Sequence, residues 1–238
     1  MDELRHFAII VAAGKGLRMD LKTKKQYLHL DGIPILARTI MAFDTCDQVH
    51  EIILVVPKQE KSYCKTNIID PYGFKKKIHL VEGGNKRQDS VLNGLKYIQD
   101  RFTRQKEAVV MIHDGVRPFV DQNMIKDCIW NAIKNGACIP AVKITDTVKH
   151  ADRDCFIQKT VNRENLYNAQ TPQTFKLDLI LRAFDHAEKT LFLGTDDATL
   201  VEHLGHKVFI INGSKWNIKI TTPEDLVLGK YLLTLNLT

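Results

Sequence analysis

No apolar run in this chain is long enough to cross a bilayer, so a membrane-spanning helix is not expected. Its five cysteines, Cys46, Cys64, Cys128, Cys138 and Cys155, are scattered, odd in number and never spaced C-x-x-C. That argues against a disulfide framework or a structural zinc site and for buried or partly buried free thiols. The first six residues enter an apolar run without a signal-peptide core, so the cytoplasm is the expected location. There is no internal repeat, low-complexity tract or linker. Lys and Arg number 34 against 28 Asp and Glu, a net charge of +6, which suits an anionic partner without selecting one. The basic runs, Lys58–Lys65, Lys75-Lys76-Lys77 and Lys86-Arg87, lack the interleaved aromatics of a nucleic-acid face and read by default as solvated surface.

Two common nucleotide signatures are also missing. Gly14-Lys15-Gly16 begins like a dinucleotide fingerprint, but Met19 stands where the third glycine belongs, and no acidic residue follows the second apolar run to hold a ribose. A Walker A motif is absent because no Gly-Lys-Ser/Thr follows at the required spacing.

What is present is an alternation of strands and helices. Phe7–Val11, Glu51–Val56, Ile78–Val81, Ala108–His113 and Ala137–Val142 read as buried strands. Helices are expected at Pro34–Phe43 (with proline in the first turn), Lys58–Ile69, Ser90–Ile98 and Asn123–Asn135, the last closed by Gly136. After position 176 come helices near Leu177–Glu188 and Asp196–His203, a strand Val208–Asn212, and a helix over Pro223–Leu233. That last helix opens with Thr222-Pro223-Glu224-Asp225, a cap, an N1 proline and an acidic third residue. The pattern predicts one α/β domain with a mostly parallel twisted sheet and helices on both faces. Between about 143 and 170 it gives way to polar, period-two sequence, read as a projecting β-arm whose strand edges a second copy of the chain would cover.

Ligands of open α/β sheets sit at the carboxyl ends of the strands, and the unusual residues fall there. Ala12-Ala13-Gly14-Lys15-Gly16 is a small-residue loop that lets bare amides approach a phosphate. Arg18 and Lys25 add cations beside it, the one able to bridge two phosphate oxygens, the other a point charge. A tight strand-to-helix turn with surface cations is the plainer alternative. Asp114, closing the Ala108 strand, is either a magnesium ligand or an Asx-turn, and His113 is a packed, hydrogen-bonded histidine. Gly83-Gly84-Asn85 and Ser90 either read a base edge or simply start a helix. Thr195-Asp196-Asp197 reads first as a helix cap and Lys219 as an edge-strand lysine.

The ordered set AAGKGLRM, KQYL, GGNKRQDSVLNGL, HDGVRPFV, DTVKH, TVNR, AQTPQTF, TDDATLVEHLG and NIKITTPEDL resembles the 2-C-methyl-D-erythritol 4-phosphate cytidylyltransferase family over about residues 7–230. The resemblance implies a Rossmann-like nucleotidyltransferase fold and a homodimer joined through the arm. The implied reaction takes CTP and a sugar-alcohol phosphate, with Mg2+, to a CDP-alcohol and pyrophosphate. It assigns Arg18 and Lys25 to transition-state charge, with Arg163 and Lys219 also among the catalytic groups, and Asp114 to magnesium. Ala12, Ala13, Gly14, Gly16, Gly84, Asn85, Ser90 and Gly115 fall to CTP; Arg117, Thr147, Thr171 and Thr195 fall to the acceptor. Thr147 and Arg163, on the arm, are implied to reach the partner subunit's site. Lys24 stands where the family often has proline, Asn85 where an acidic residue is common, Gly115 in place of a frequent alanine, and Asp197 of a frequent glutamate. The nearest alternative is a ribitol-5-phosphate cytidylyltransferase. A nucleotide sensor and an RNA-binding protein are the readings from other classes.

Overall fold

The computed structural model describes residues 4–14, 24–102 and 108–235. One eight-stranded sheet organises it. β1 (Arg5–Val11) lies at its centre, flanked in parallel by β4 (Glu51–Val56) and β6 (Ala108–Asp114), and β5 (Lys77–Glu82) continues in parallel beyond β4. On the other side β11 (Gln173–Lys176) pairs antiparallel with both β6 and β7 (Ala137–Lys143). β10 (Tyr167–Ala169) also pairs antiparallel with β7, and β12 (Phe209–Asn212) joins β7 in parallel. The sheet is mostly parallel, and the expected α/β class holds.

Period-two alternation along β1 explains why both faces are covered. Phe7 and Ile9 point into a core shared with α3 (Arg87–Arg101) and α5 (Leu177–Lys189), through Val91, Leu95, Ile180 and Phe184. Ala8 and Ile10 point into the opposite core, with Leu36, Ile40 and Phe43 of α1 (Ile35–Asp44) and Ile125 and Ile129 of α4 (Gln122–Asn135). Each such large side chain contributes about 1.5–3 kcal/mol when removed from water. A third, smaller core of Leu30, Ile35, Val116, Phe119, Ile220 and Leu232 seats α7 (Pro223–Thr234). α7 begins with a capping box, Thr222 Oγ1 accepting from Asp225 N–H and Asp225 Oδ2 from Thr222 N–H.

The structure departs from the sequence reading in several places. Pro34 caps α1 instead of lying within it, because it closes the β2–β3 hairpin (His29–Leu30 and Ile33–Pro34). The Lys58–Ile69 helix is composite: a 3-10 turn Lys58–Glu60, α2 (Lys61–Cys64) and a π-helical stretch Lys65–Ile69. β11 was not expected at all. Of the cysteines, Cys155 is exposed, not buried, since it occupies the tip of a hairpin at φ 66°. That hairpin, β8 (Val148–Ala151) with β9 (Ile157–Val161), forms its own two-stranded sheet, exposed along nearly all its length.

Candidate active site

At the carboxyl ends of β1, β4, β5 and β6 the chain leaves a cleft of about 430 Å³. Val11–Gly14 form one wall. Gly83, Gly84, Asn85, Lys86, Arg87 and Ser90 form another, with Lys24, Lys25 and Gln26, the Pro57–Gln59 turn, Asp114 and Lys219 completing it. Six cations among these (Lys24, Lys25, Lys58, Lys86, Arg87, Lys219) face two acids, Glu82 and Asp114. Such a cleft favours a polyanion.

The glycine loops are fixed by the ends of the strands. Ala12 N–H donates to Val55 O at 2.8 Å, Gly83 N–H to Val56 O at 2.8 Å, and Gly115 N–H to Val11 O at 2.9 Å. Buried Gln26 reaches back from the other side and donates to Ala12 O at 3.0 Å. The turn before α3 needs glycine. A Cβ on Gly84 would lie 2.3 Å from Asp89 Cβ, and one on Gly83 would lie 2.4 Å from Ala13 Cβ. Ser90 Oγ accepts from Gly84 N–H and donates to Lys86 O, both at 3.0 Å, so its hydroxyl holds the loop that lines the cleft.

Asp114 is the electrostatic hub. Lys219 Nζ lies 2.8 Å from its Oδ2, Arg117 Nε 3.5 Å from the same oxygen, and Arg87 Nε 3.6 Å from Oδ1. Burial alone would raise this carboxyl, but Lys219, Arg87 and Arg117 outweigh it and hold Asp114 well below the usual carboxylate range. Arg87 also binds buried Asp197 at 2.7 Å, at the start of α6 (Asp197–His203). Burial raises the Asp197 carboxyl and Arg87 only partly offsets that.

Behind Asp114 lies a buried polar chain. Thr171 Oγ1 accepts from Asp114 N–H at 3.2 Å and donates to His113 Nδ1 at 3.0 Å, while His113 Nε2 donates to Arg117 O at 3.0 Å. These bonds suit a neutral ring, and burial lowers the His113 pKa to about 4. The histidine is packed and bonded, as its sequence context suggested. Arg117 donates to Asn217 O at 2.7 Å and Asn217 Nδ2 to Thr171 O at 2.9 Å, fixing the segment that carries Lys219.

The structure thus brings Ala12, Ala13, Gly14, Lys25, Gly84, Asn85, Ser90, Asp114 and Lys219 onto one cleft. Gly115, Arg117 and Thr171 stand behind it as buried or half-buried supports. Thr195 is exposed, bonded to Thr199 Oγ1 at 3.2 Å, two residues before Asp197. Thr147 and Arg163 are exposed, beside β8 and β9, and do not line this chain's cleft. Gly16 and Arg18 lie outside the described residues. Sequence reading gave no role to Arg87 or to Asp197 beyond a helix start. The Arg within Gly83–Ser90 was the available signal for the first, and nothing local distinguished the second.

Asp114 is a residue of the cleft that would offer a carboxylate oxygen to a magnesium ion there: its Oδ2 is taken by Lys219, and its Oδ1 is 3.6 Å from Arg87 Nε. Among the described residues no cluster of three or more His, Cys, Asp or Glu offers a protein-only cage.

The sequence profile of the 2-C-methyl-D-erythritol 4-phosphate cytidylyltransferase family matches residues 6–235. The chain is 48% identical to the cytidylyltransferase of that name from Alkaliphilus oremlandii over 225 residues, covering 94% of this chain and 93% of the relative. It is 44% identical to the one from Clostridium novyi, covering 96% of each. The crystal structure of 4-diphosphocytidyl-2C-methyl-D-erythritol synthase from Anaerococcus prevotii superposes with a TM-score of 0.83 at 34% identity, covering 97% of this chain and 96% of that one. The Francisella tularensis 2-C-methyl-D-erythritol 4-phosphate cytidylyltransferase gives 0.80 at 31%, covering 95% and 99%. The chain belongs to the 2-C-methyl-D-erythritol 4-phosphate cytidylyltransferase family.

Proposed function

We propose that this protein transfers the cytidylyl group of CTP to 2-C-methyl-D-erythritol 4-phosphate. The products are 4-(cytidine 5'-diphospho)-2-C-methyl-D-erythritol and pyrophosphate, a step toward isoprenoid precursors outside the mevalonate route. The observation that carries the reading is that Lys25 and Lys219 line one cleft with two glycine loops and Asp114. An acceptor phosphate oxygen attacks the α-phosphorus of CTP, the bond to the β-phosphate oxygen breaks, and pyrophosphate leaves. The nucleophile is already ionised, so no general base is required, and positioning with fixed charge supplies the catalysis.

In this reading the amides and small residues of Ala12–Gly16 cradle the triphosphate, Gly84, Asn85 and Ser90 contact the nucleotide, and Gly115 supports the cleft from behind. Arg18 and Lys25 offset charge on the α-phosphate and the leaving group. Lys219, held by Asp114, steers the acceptor phosphate, with Arg117, Thr171 and Thr195 toward the acceptor side. Mg2+, held by the triphosphate and Asp114, would supply further positive charge to the phosphates. Thr147 and Arg163 would serve a second copy's site in a homodimer joined by the β8–β9 arm, consistent with their exposure. A cytoplasmic enzyme without nucleic-acid or membrane partners is the simplest setting. No helix among the described residues is long and apolar enough to cross a membrane.

The test is product mass analysis after incubation with CTP, Mg2+ and either methylerythritol 4-phosphate or D-ribitol 5-phosphate. A CDP-alcohol from the first only is expected. A product from ribitol phosphate only would transfer the protein to the alternative acceptor, and none from either would overturn the assignment.

A further inference from the structure

Lys25 is carried between two residues that grip the same carboxylate. Lys24 Nζ forms an ion pair with Glu60 Oε1, and Tyr27 Oη donates to Glu60 Oε2 at 2.7 Å. Glu60 belongs to the 3-10 turn after β4, on a different segment from the loop that bears Lys25. Its side chain is only 15% exposed, and Tyr27 is buried, its hydroxyl 3.1 Å from Cys64 Sγ. The intervening Gln26 is tied to Ala12 O. The residues on either side of Lys25, namely Lys24, Gln26 and Tyr27, are therefore each anchored by their side chains.

The backbone sharpens the point. Lys24 has φ −63°, the angle a proline ring would impose. A lysine has no ring to hold that angle, so the restraint must come from elsewhere in the chain. We infer that Glu60 is a positioning residue that supplies it: one carboxylate, bound to Lys24 before and Tyr27 after, fixes the turn and aims Lys25 into the cleft. Charge aimed in advance acts on a transition state without reorganisation. The inference rests on Lys25 acting in the reaction proposed above.

The experiment compares kcat and KM for CTP in Glu60→Ala, Glu60→Gln, Lys24→Pro/Glu60→Ala and Lys25→Ala. Misaiming a charge by a fraction of an ångström predicts that Glu60→Ala loses about tenfold in kcat with KM for CTP within about twofold. Glu60→Gln, which still accepts from Tyr27, loses less. The proline of Lys24→Pro/Glu60→Ala restores the backbone angle and recovers most of the loss, which a general weakening of the fold would not allow. Wild-type kcat in Glu60→Ala, or a loss that the proline does not recover, overturns the inference. Should Glu60→Ala not fold, Tyr27→Phe replaces it, with a smaller kcat loss expected because the Lys24 ion pair remains, and an unchanged kcat counting against the proposal. If Lys25→Ala turns over like wild type, the reading of Lys25 itself fails. If it collapses while Glu60→Ala does not, only the positioning role of Glu60 fails.

Discussion

Lys219 Nζ and Asp114 Oδ2 lie 2.8 Å apart, joining the loop before α7 to the end of a central strand. With Arg87 and Arg117 nearby, the carboxylate is held ionised against its burial. Its folded-state pKa is below the unfolded value of about 3.9, so its stabilisation is present above that pH and is lost as pH falls below it. Asp114→Asn is expected to cost about 2 kcal/mol at pH 7, at the low end for a buried ion pair because Lys219 and Arg87 are partly solvated. Thermal unfolding from pH 7 to pH 3 checks this: the gap to wild type should shrink below pH about 4. A gap independent of pH would contradict the ion-pair account.

His113 acts over a different pH window. Its folded pKa of about 4 is below the ordinary 6.5, so the unfolded chain binds the extra proton between those values and stability falls as pH drops from 6.5 toward 4. The full effect is about 3 kcal/mol. His113→Gln should lower the melting temperature at neutral pH yet flatten its decline across that window. An undiminished slope would assign the acid sensitivity to other groups.

Ser90 holds the loop that lines the cleft through Gly84 N–H and Lys86 O. Ser90→Ala should raise the Kd for CTP about tenfold, the worth of one buried hydrogen-bond pair. Gly84→Ala should weaken CTP further, because its Cβ would collide with Asp89. Titration calorimetry with CTP and Mg2+ measures both, and unchanged affinity in both would remove this loop from the nucleotide site.

Subunit mixing tests the arm. If Arg163 serves the partner's site, Lys25→Ala and Arg163→Ala homodimers are each inactive, while a mixed dimer carries both lesions in one site and none in the other. Equal mixing with free exchange should then restore about a quarter of wild-type turnover. No recovery, with exchange verified by mass, would mean that Arg163 serves its own subunit's site, and a fully active Arg163→Ala homodimer would leave it without a role.

The apolar strands Phe7–Val11, Glu51–Val56 and Ala108–His113 were legible because hydrophobic runs bounded by turn residues have few other solutions. So was the α7 cap, whose residues act locally. β11 was not legible. Gln173 and Thr174 are polar, yet both are buried, and Gln173 is satisfied only by partners distant in sequence: it donates to Asp196 and accepts from the amides of Asp197 and Ala198. Asp197 itself reads as an acidic residue favoured by a helix dipole, and only the fold places Arg87 against it. The glycine loops and Lys25 could be located from the sequence because they follow strand ends. The ties from Glu60 to Lys24 and Tyr27 span 36 and 33 positions and have no local signature.

The most direct test of the central claim, that fixed positive charge in this cleft drives cytidylyl transfer, is the single-turnover rate of pyrophosphate release by Lys25→Ala beside wild type. CTP, Mg2+ and methylerythritol 4-phosphate would all be saturating. The account predicts a fall of at least about 10²-fold with CTP affinity within about threefold of wild type. A rate equal to wild type would contradict it.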